Sequence, residues 1–148
     1  MLTNIPSPCY VLEEQKLLHN LKILDSVQKQ SGAKILVALK GFAFWRSFEL
    51  LKPYLYGSTA SGLYEAKLGS ETLGGREEGK EVCVFSPAYK EEEMRELVKI
   101  ATHIIFNSFA QWQRHKHIID EANLALQKQG KPLIEVGLRL NPLYSEVT

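Results

Sequence analysis

The sequence predicts an α/β fold of parallel β-α units, on three observations. Short apolar runs suited to strands recur along the 148 residues. Helical stripes or short helices separate them, and that alternation marks parallel β-α units. The run Ile35-Leu36-Val37-Ala38-Leu39 is continuous rather than alternating and ends at Lys40-Gly41. Such a run reads as a strand buried on both faces. A strand tip is also where α/β barrels place their chemistry.

Each element has a local reason. Pro6 and Pro8 precede a short extended segment, Cys9-Tyr10-Val11-Leu12, so residues 1–12 read as an N-terminal extension and 13–148 as the fold. Residues 13–30 carry Leu17, Leu18, Leu21, Leu24 and Val27 at helical spacing. Ser31-Gly32 ends that helix, and the Lys40 strand begins near Lys34. A short helix fits Trp45 to Leu51 and stops at Pro53, and Tyr54-Leu55-Tyr56-Gly57-Ser58 reads as a weak strand. Ser61 suits the cap of a helix over Gly62 to about Leu68. Val82-Cys83-Val84-Phe85 is the third strand. The next helix opens on Glu91-Glu92-Glu93, which suits the positive end of the helix dipole, and carries Met94, Leu97, Val98 and Ala101 on one face. His103-Ile104-Ile105-Phe106 is the fourth strand. Ser108 and Gln111 form a capping-box pattern for a helix to about Gln127. After the loop Gly130-Lys131-Pro132, Leu133 to Leu140 is the fifth strand.

Two architectures use such units, the open doubly wound sheet and the closed (β/α)8 barrel. An open five-stranded sheet would be complete at this length, whereas a barrel would be cut off after strand five. The polar ending Ser145-Glu146-Val147-Thr148, with no closing helix, favours a fragment of a barrel.

Composition narrows the function classes. Apolar content of 45% is that of an ordinary globular protein, and a formal charge of +1 argues against a general role on nucleic acid or anionic membrane. No apolar stretch approaches the ~20 residues of a membrane helix. Met1 to Pro6 lacks the charge and apolar pattern of a signal peptide. Cys9 and Cys83, far apart in strand-like runs, fit buried reduced thiols of a cytoplasmic protein.

Lys40 is the candidate of greatest interest. Burying an ammonium is costly unless it is paired or chemically used; the alternative is a Lys snorkelling into water. Phe42, Phe44 and Trp45 either pack as core or wall a pocket over it. Two other motifs carry less. Gly74 to Lys80 has P-loop spacing, but Glu81 stands where Ser or Thr belongs, and the loop follows a helix instead of opening one. His115 and His117, with Arg114 and Lys116, read as a solvated helix face.

Four segments, in order, resemble a known family. They are Pro6-Ser7-Pro8-Cys9-Tyr10-Val11-Leu12, Val37-Ala38-Leu39-Lys40-Gly41-Phe42-Ala43, Ser58-Thr59-Ala60-Ser61-Gly62-Leu63-Tyr64-Glu65-Ala66-Lys67-Leu68-Gly69, and Gly137-Leu138-Arg139-Leu140-Asn141-Pro142. Together they resemble carboxynorspermidine/carboxyspermidine decarboxylases, which use pyridoxal phosphate (PLP) on an alanine-racemase-like barrel. The resemblance implies about five of eight β/α units of a PLP-binding TIM barrel, with the C-terminal β-sandwich domain absent from this chain. It implies PLP-dependent decarboxylation of a small carboxylated polyamine, and a homodimer at full length. Lys40 matches the lysine that carries PLP covalently, and Arg139 an arginine near the cofactor. Ser58 falls where ornithine decarboxylases carry an Asp, within the cofactor-binding set. Glu65 resembles a family glutamate facing the lysine, displaced by one residue; a first-turn helix carboxylate is the equal alternative. Asn107 and Ser108 either line the pocket or cap the helix. A related ornithine or diaminopimelate decarboxylase, a non-catalytic PLP-binding barrel and a PLP-free doubly wound binding domain are the competing readings.

Overall fold

The computed structural model describes residues 5–146. Residues 1–4, part of the segment read for a signal peptide, and 147–148, part of the abrupt ending, lie outside them. Helix α1 (Glu14–Ser31) ends at Gly32, whose φ of 73° takes the left-handed turn that glycine accepts most easily and whose N–H donates to Gln28 O. There follow β1 (Leu36–Ala38), a 3-10 turn at Trp45–Ser47, α2 (Phe48–Leu51), β2 (Gly57–Ala60) and α3 (Leu63–Thr72). After a second 3-10 turn at Arg76–Glu78 come β3 (Glu81–Phe85), α4 (Glu91–Ile100), β4 (His103–Phe106), α5 (Phe109–Lys128) and β5 (Glu135–Leu138).

The five strands form one parallel sheet in the order β1-β2-β3-β4-β5. Every strand pairs with its neighbour in sequence, so the order never reverses. A doubly wound sheet has a reversal point, and this sheet has none. Consecutive parallel order is that of a (β/α) barrel, and the architecture is a five-stranded part of one.

Side-chain alternation separates two faces. Ser58, Ala60, Val82, Val84, Ile104 and Phe106 are buried and point to the helix layer. There they meet Met94 and Leu97 of α4 and Ile118 and Ile119 of α5. Thr59, Cys83, Phe85, His103 and Ile105 stand on the opposite face, half-buried. A second core joins Leu21 of α1, Leu39, Phe48, Leu51, Leu55 and Leu73 beside β1.

Several sequence expectations are corrected. The three residues of β1 are half-buried rather than fully buried. The second strand lies at 57–60 rather than 54–58. Gly57, at φ 152°, fixes that placement: a Cβ there would stand 2.0 Å from Glu81 O, so only glycine lets β2 approach β3 this closely. α3 continues past Leu68 to Thr72. Gly69 sits inside it because the helix rests on Ser58, whose Oγ would be 2.2 Å from an added Cβ. His115 is buried, not solvated, stacked on Phe106 and edge-on to Tyr89; burial lowers its pKa. Cys9 is exposed and Cys83 half-buried, both free thiols. Gly74 to Lys80 is a turn between α3 and β3, as its context predicts, with Gly79 at φ 66°.

Candidate active site

In a parallel sheet all strands end at one side, and the loops leaving those ends carry the chemistry. Lys40 and Arg139 both stand there, just past β1 and β5. The Lys40 turn is tightly built. Leu39 N–H donates to Thr59 O (3.1 Å), which extends the ladder one residue beyond β1. The Leu39 side chain is 2% exposed, locked in the second core. Gly41 N–H and Phe42 N–H both donate to Ala38 O (2.9 and 3.0 Å). The turn therefore pins Lys40 while its side chain remains exposed. Among the described residues Lys40 makes no hydrogen bond or ion pair, so its amine is uncommitted.

Gly41, Phe42, Ala43 and Phe44 line a cavity of about 400 Å³ with Tyr10, Val11 and Leu12. That volume suits a small-molecule site. The aromatic cluster after Lys40 thus divides its labour. Phe42 also packs on Phe48 (ring centroids 6.2 Å apart), Phe44 faces the cavity, and Trp45 lies against Arg46 instead.

Arg139 is exposed, held by its N–H to Phe106 O (2.8 Å). Its guanidinium lies 5.8 Å from the centroid of the Phe85 ring, and its Nη1 donates to Asn107 Oδ1 (3.4 Å). It forms no ion pair among the described residues. Asn107 is fixed in turn: its N–H donates to Gln111 Oε1 (2.7 Å), and Gln111 Nε2 donates to Pro87 O (3.0 Å). Ser108 caps α5, accepting Gln111 N–H at 3.2 Å. The reciprocal half of the expected capping box goes to Asn107 N–H, one residue earlier than the pattern predicts. Asn107 therefore serves the arginine as well as the helix start.

Two expected residues are placed differently. Ser58 is fully buried beneath α3, on the helix side of the sheet, and its Oγ has no hydrogen-bond partner among the described residues. The structure does not bring it to the face that carries Phe85. Glu65 Oε2 accepts Ser61 N–H at 2.6 Å, the role of a helix-capping carboxylate. Sequence reasoning missed Phe85, because an aromatic residue ending an apolar strand reads as core. It also missed Tyr89, whose hydroxyl accepts Ser86 N–H (2.9 Å) and donates toward Val84 O or Ile105 O. Burial pushes that phenol up to about 12, so it stays a neutral tie between β3 and β4. Among the described residues no group of three or more His, Cys, Asp or Glu is placed to hold a metal. No helix among them is long and apolar enough to cross a membrane.

The fold has a known counterpart. A crystal structure of carboxynorspermidine decarboxylase from Campylobacter jejuni, complexed with norspermidine, matches with a TM-score of 0.73 and 44% identity. The match covers 79% of this chain and 30% of that one. A carboxynorspermidine/carboxyspermidine decarboxylase of the same species is 43% identical over 141 residues, 95% of this chain. The chain is a relative of the carboxynorspermidine/carboxyspermidine decarboxylases. A carboxynorspermidine/carboxyspermidine decarboxylase of Herminiimonas arsenicoxydans is 41% identical over 93% of the chain. A carboxyaminopropylagmatine decarboxylase of Synechocystis is 38% identical over 99% of it. The chain spans about a third of the length of these curated decarboxylases (34%, 35% and 33%). No family model matches it.

Proposed function

We propose that this chain supplies the amine-bearing part of a PLP-dependent decarboxylase acting on a carboxylated polyamine. The observation that carries this is Lys40: an exposed primary amine with no hydrogen-bond or ion-pair partner among the described residues, at the C-terminal end of a barrel-type strand and at the same end as Arg139. Similarity to decarboxylases along nearly the whole chain supports it. The donor set suits the cofactor. A primary amine condenses with an aldehyde, and an uncommitted guanidinium receives an anionic oxygen. Lys40 Nζ would therefore hold PLP and Arg139 would orient it.

When bound, PLP supplies the aldehyde and the electron-accepting ring that stabilises the pair left as carbon dioxide departs. The protein's part is position and proton handling. Lys40 Nζ would hold the cofactor through its amine, and the same amine could carry a proton at the reacting end of the site. Phe42 and Phe44 give that end an apolar wall. The bond that breaks joins the amine-bearing carbon to its carboxylate. A C–H bond replaces it, so each turnover consumes a proton and releases carbon dioxide. We read the substrate as carboxynorspermidine or carboxyspermidine and the product as norspermidine or spermidine. The complete protein is then a cytoplasmic homodimer of polyamine biosynthesis.

The test is carbon dioxide release from carboxynorspermidine by the complete protein. Wild type should release it and Lys40→Ala should not. Equal release by both would refute the assignment of Lys40, and release from ornithine alone would replace the substrate.

A further inference from the structure

We infer that Phe85 and Asn107 are positioning residues that hold the Arg139 guanidinium inward over the strand ends, toward Lys40. The inference rests on the proposal that an anionic ligand binds between Lys40 and Arg139, and it adds how the second partner is aimed.

β5 and β1 lie four strand spacings apart in the sheet, or about 19 Å measured along it. Arg139 leaves the C-terminal end of β5. Its guanidinium lies over the ring of Phe85, which belongs to β3, two strands inward. That leaves two spacings to β1, about 10 Å measured along the sheet.

Three features on consecutive strands make the inward pose. The Phe85 ring attracts the cation within the ~6 Å range at which a ring face does so. Asn107 Oδ1 accepts from Nη1, and its own backbone is fixed through Gln111. Gly137 leaves room: Phe85, Ile105 and Gly137 share one row, and Ile105 Cδ1 would stand 2.6 Å from a Cβ at Gly137. A side chain there would crowd the face that Arg139 crosses. With no carboxylate paired to it among the described residues, the guanidinium keeps donors free for an anion.

The experiment uses the complete protein as wild type, Phe85→Leu, Phe85→Tyr, Arg139→Gln and the Phe85→Leu/Arg139→Gln double variant. Its first readout needs no cofactor: crystal structures of the PLP-free wild type and Phe85→Leu. The guanidinium should lie over position 85 in the first and leave that position in the second; an unmoved guanidinium overturns the inference. The second readout is the Kd for PLP. Phe85→Leu should weaken binding about 2- to 5-fold, the size of an exposed cation–π contact, and Phe85→Tyr should restore it. In the Arg139→Gln background Phe85→Leu should change nothing. An equal loss in both backgrounds means that Phe85 acts independently of Arg139 and overturns the inference. Failure of wild type itself to bind PLP would refute the proposed function instead, and the crystallographic readout would still decide the pose.

Discussion

The two ends of the sheet handle charge in opposite ways. At the N-terminal ends the charged groups consume one another. Lys34 Nζ meets Glu81 Oε1 at 2.6 Å, His103 Nδ1 meets Glu81 Oε2 at 2.8 Å, and His103 Nε2 meets Glu135 Oε2 at 3.2 Å. Thr102 Oγ1 adds a hydrogen bond to Glu81 Oε2 (3.0 Å) and accepts Val82 N–H (2.9 Å). The ladder ties the starts of β3, β4 and β5 to the residues before β1. At the C-terminal ends Lys40 has no partner among the described residues, and Arg139 has a ring and an amide but no carboxylate. Groups that satisfy each other hold a fold; groups left with spare donors are free to hold a ligand. In barrels this division is general, with stability at the bottom and catalysis at the top.

Mutations at the two ends should therefore separate stability from binding. The largest effect is expected from Arg139→Ala in the complete protein. Loss of a charged hydrogen bond weakens PLP binding by about 10- to 100-fold, while the melting temperature stays that of wild type. A melting-temperature loss matching the affinity loss would erase the contrast.

Glu81→Gln should do the reverse, costing about 1–3 kcal/mol of unfolding free energy at neutral pH with PLP affinity unchanged. It also has a pH signature. Burial pushes the Glu81 carboxyl up, but Lys34, Thr102 and His103 together outweigh burial and hold it below the ordinary value of 4.5. A carboxyl depressed in the folded state gives stability that is complete above its unfolded pKa and is lost as pH falls through the folded one. Denaturant titrations of wild type and Glu81→Gln should thus differ most above pH 4.5 and converge in stronger acid. Parallel curves down to low pH would contradict the ladder.

The smallest effect is expected from Ser58→Ala, in contrast to a change at its neighbour Gly69. The Ser58 hydroxyl is buried without a partner among the described residues, so Ser58→Ala should not destabilise the fold and should leave PLP affinity unchanged. Gly69→Ala, which forces a methyl into Ser58, should cost about 1–3 kcal/mol by overpacking. A large loss of PLP affinity in Ser58→Ala would return that residue to the site.

The sequence made the architecture legible because strand and helix signals alternate cleanly, and Lys40 because a charge closes an apolar run. It did not settle barrel against open sheet; the unreversed strand order did. Ser58 entered the cofactor-binding set only through the resemblance to ornithine decarboxylases; in the structure it is the second residue of β2, paired with Val82 and turned to the helices. Which face a strand residue serves follows from alternation along the strand, which a resemblance does not report. His115 was recoverable: with Ile118, Ile119, Ala122 and Leu126 it falls on one helical stripe. The Arg139–Phe85 contact was not recoverable, since it spans two strands and leaves no local pattern.

The central claim is that Lys40 is the covalent anchor for PLP, and one measurement tests it most directly. The complete protein is reduced with borohydride, digested and mapped by mass spectrometry. The account predicts a pyridoxyl-phosphate mass on the peptide containing Lys40 and on no other lysine peptide. A label on a different lysine, or no label on protein purified with its cofactor, would contradict it.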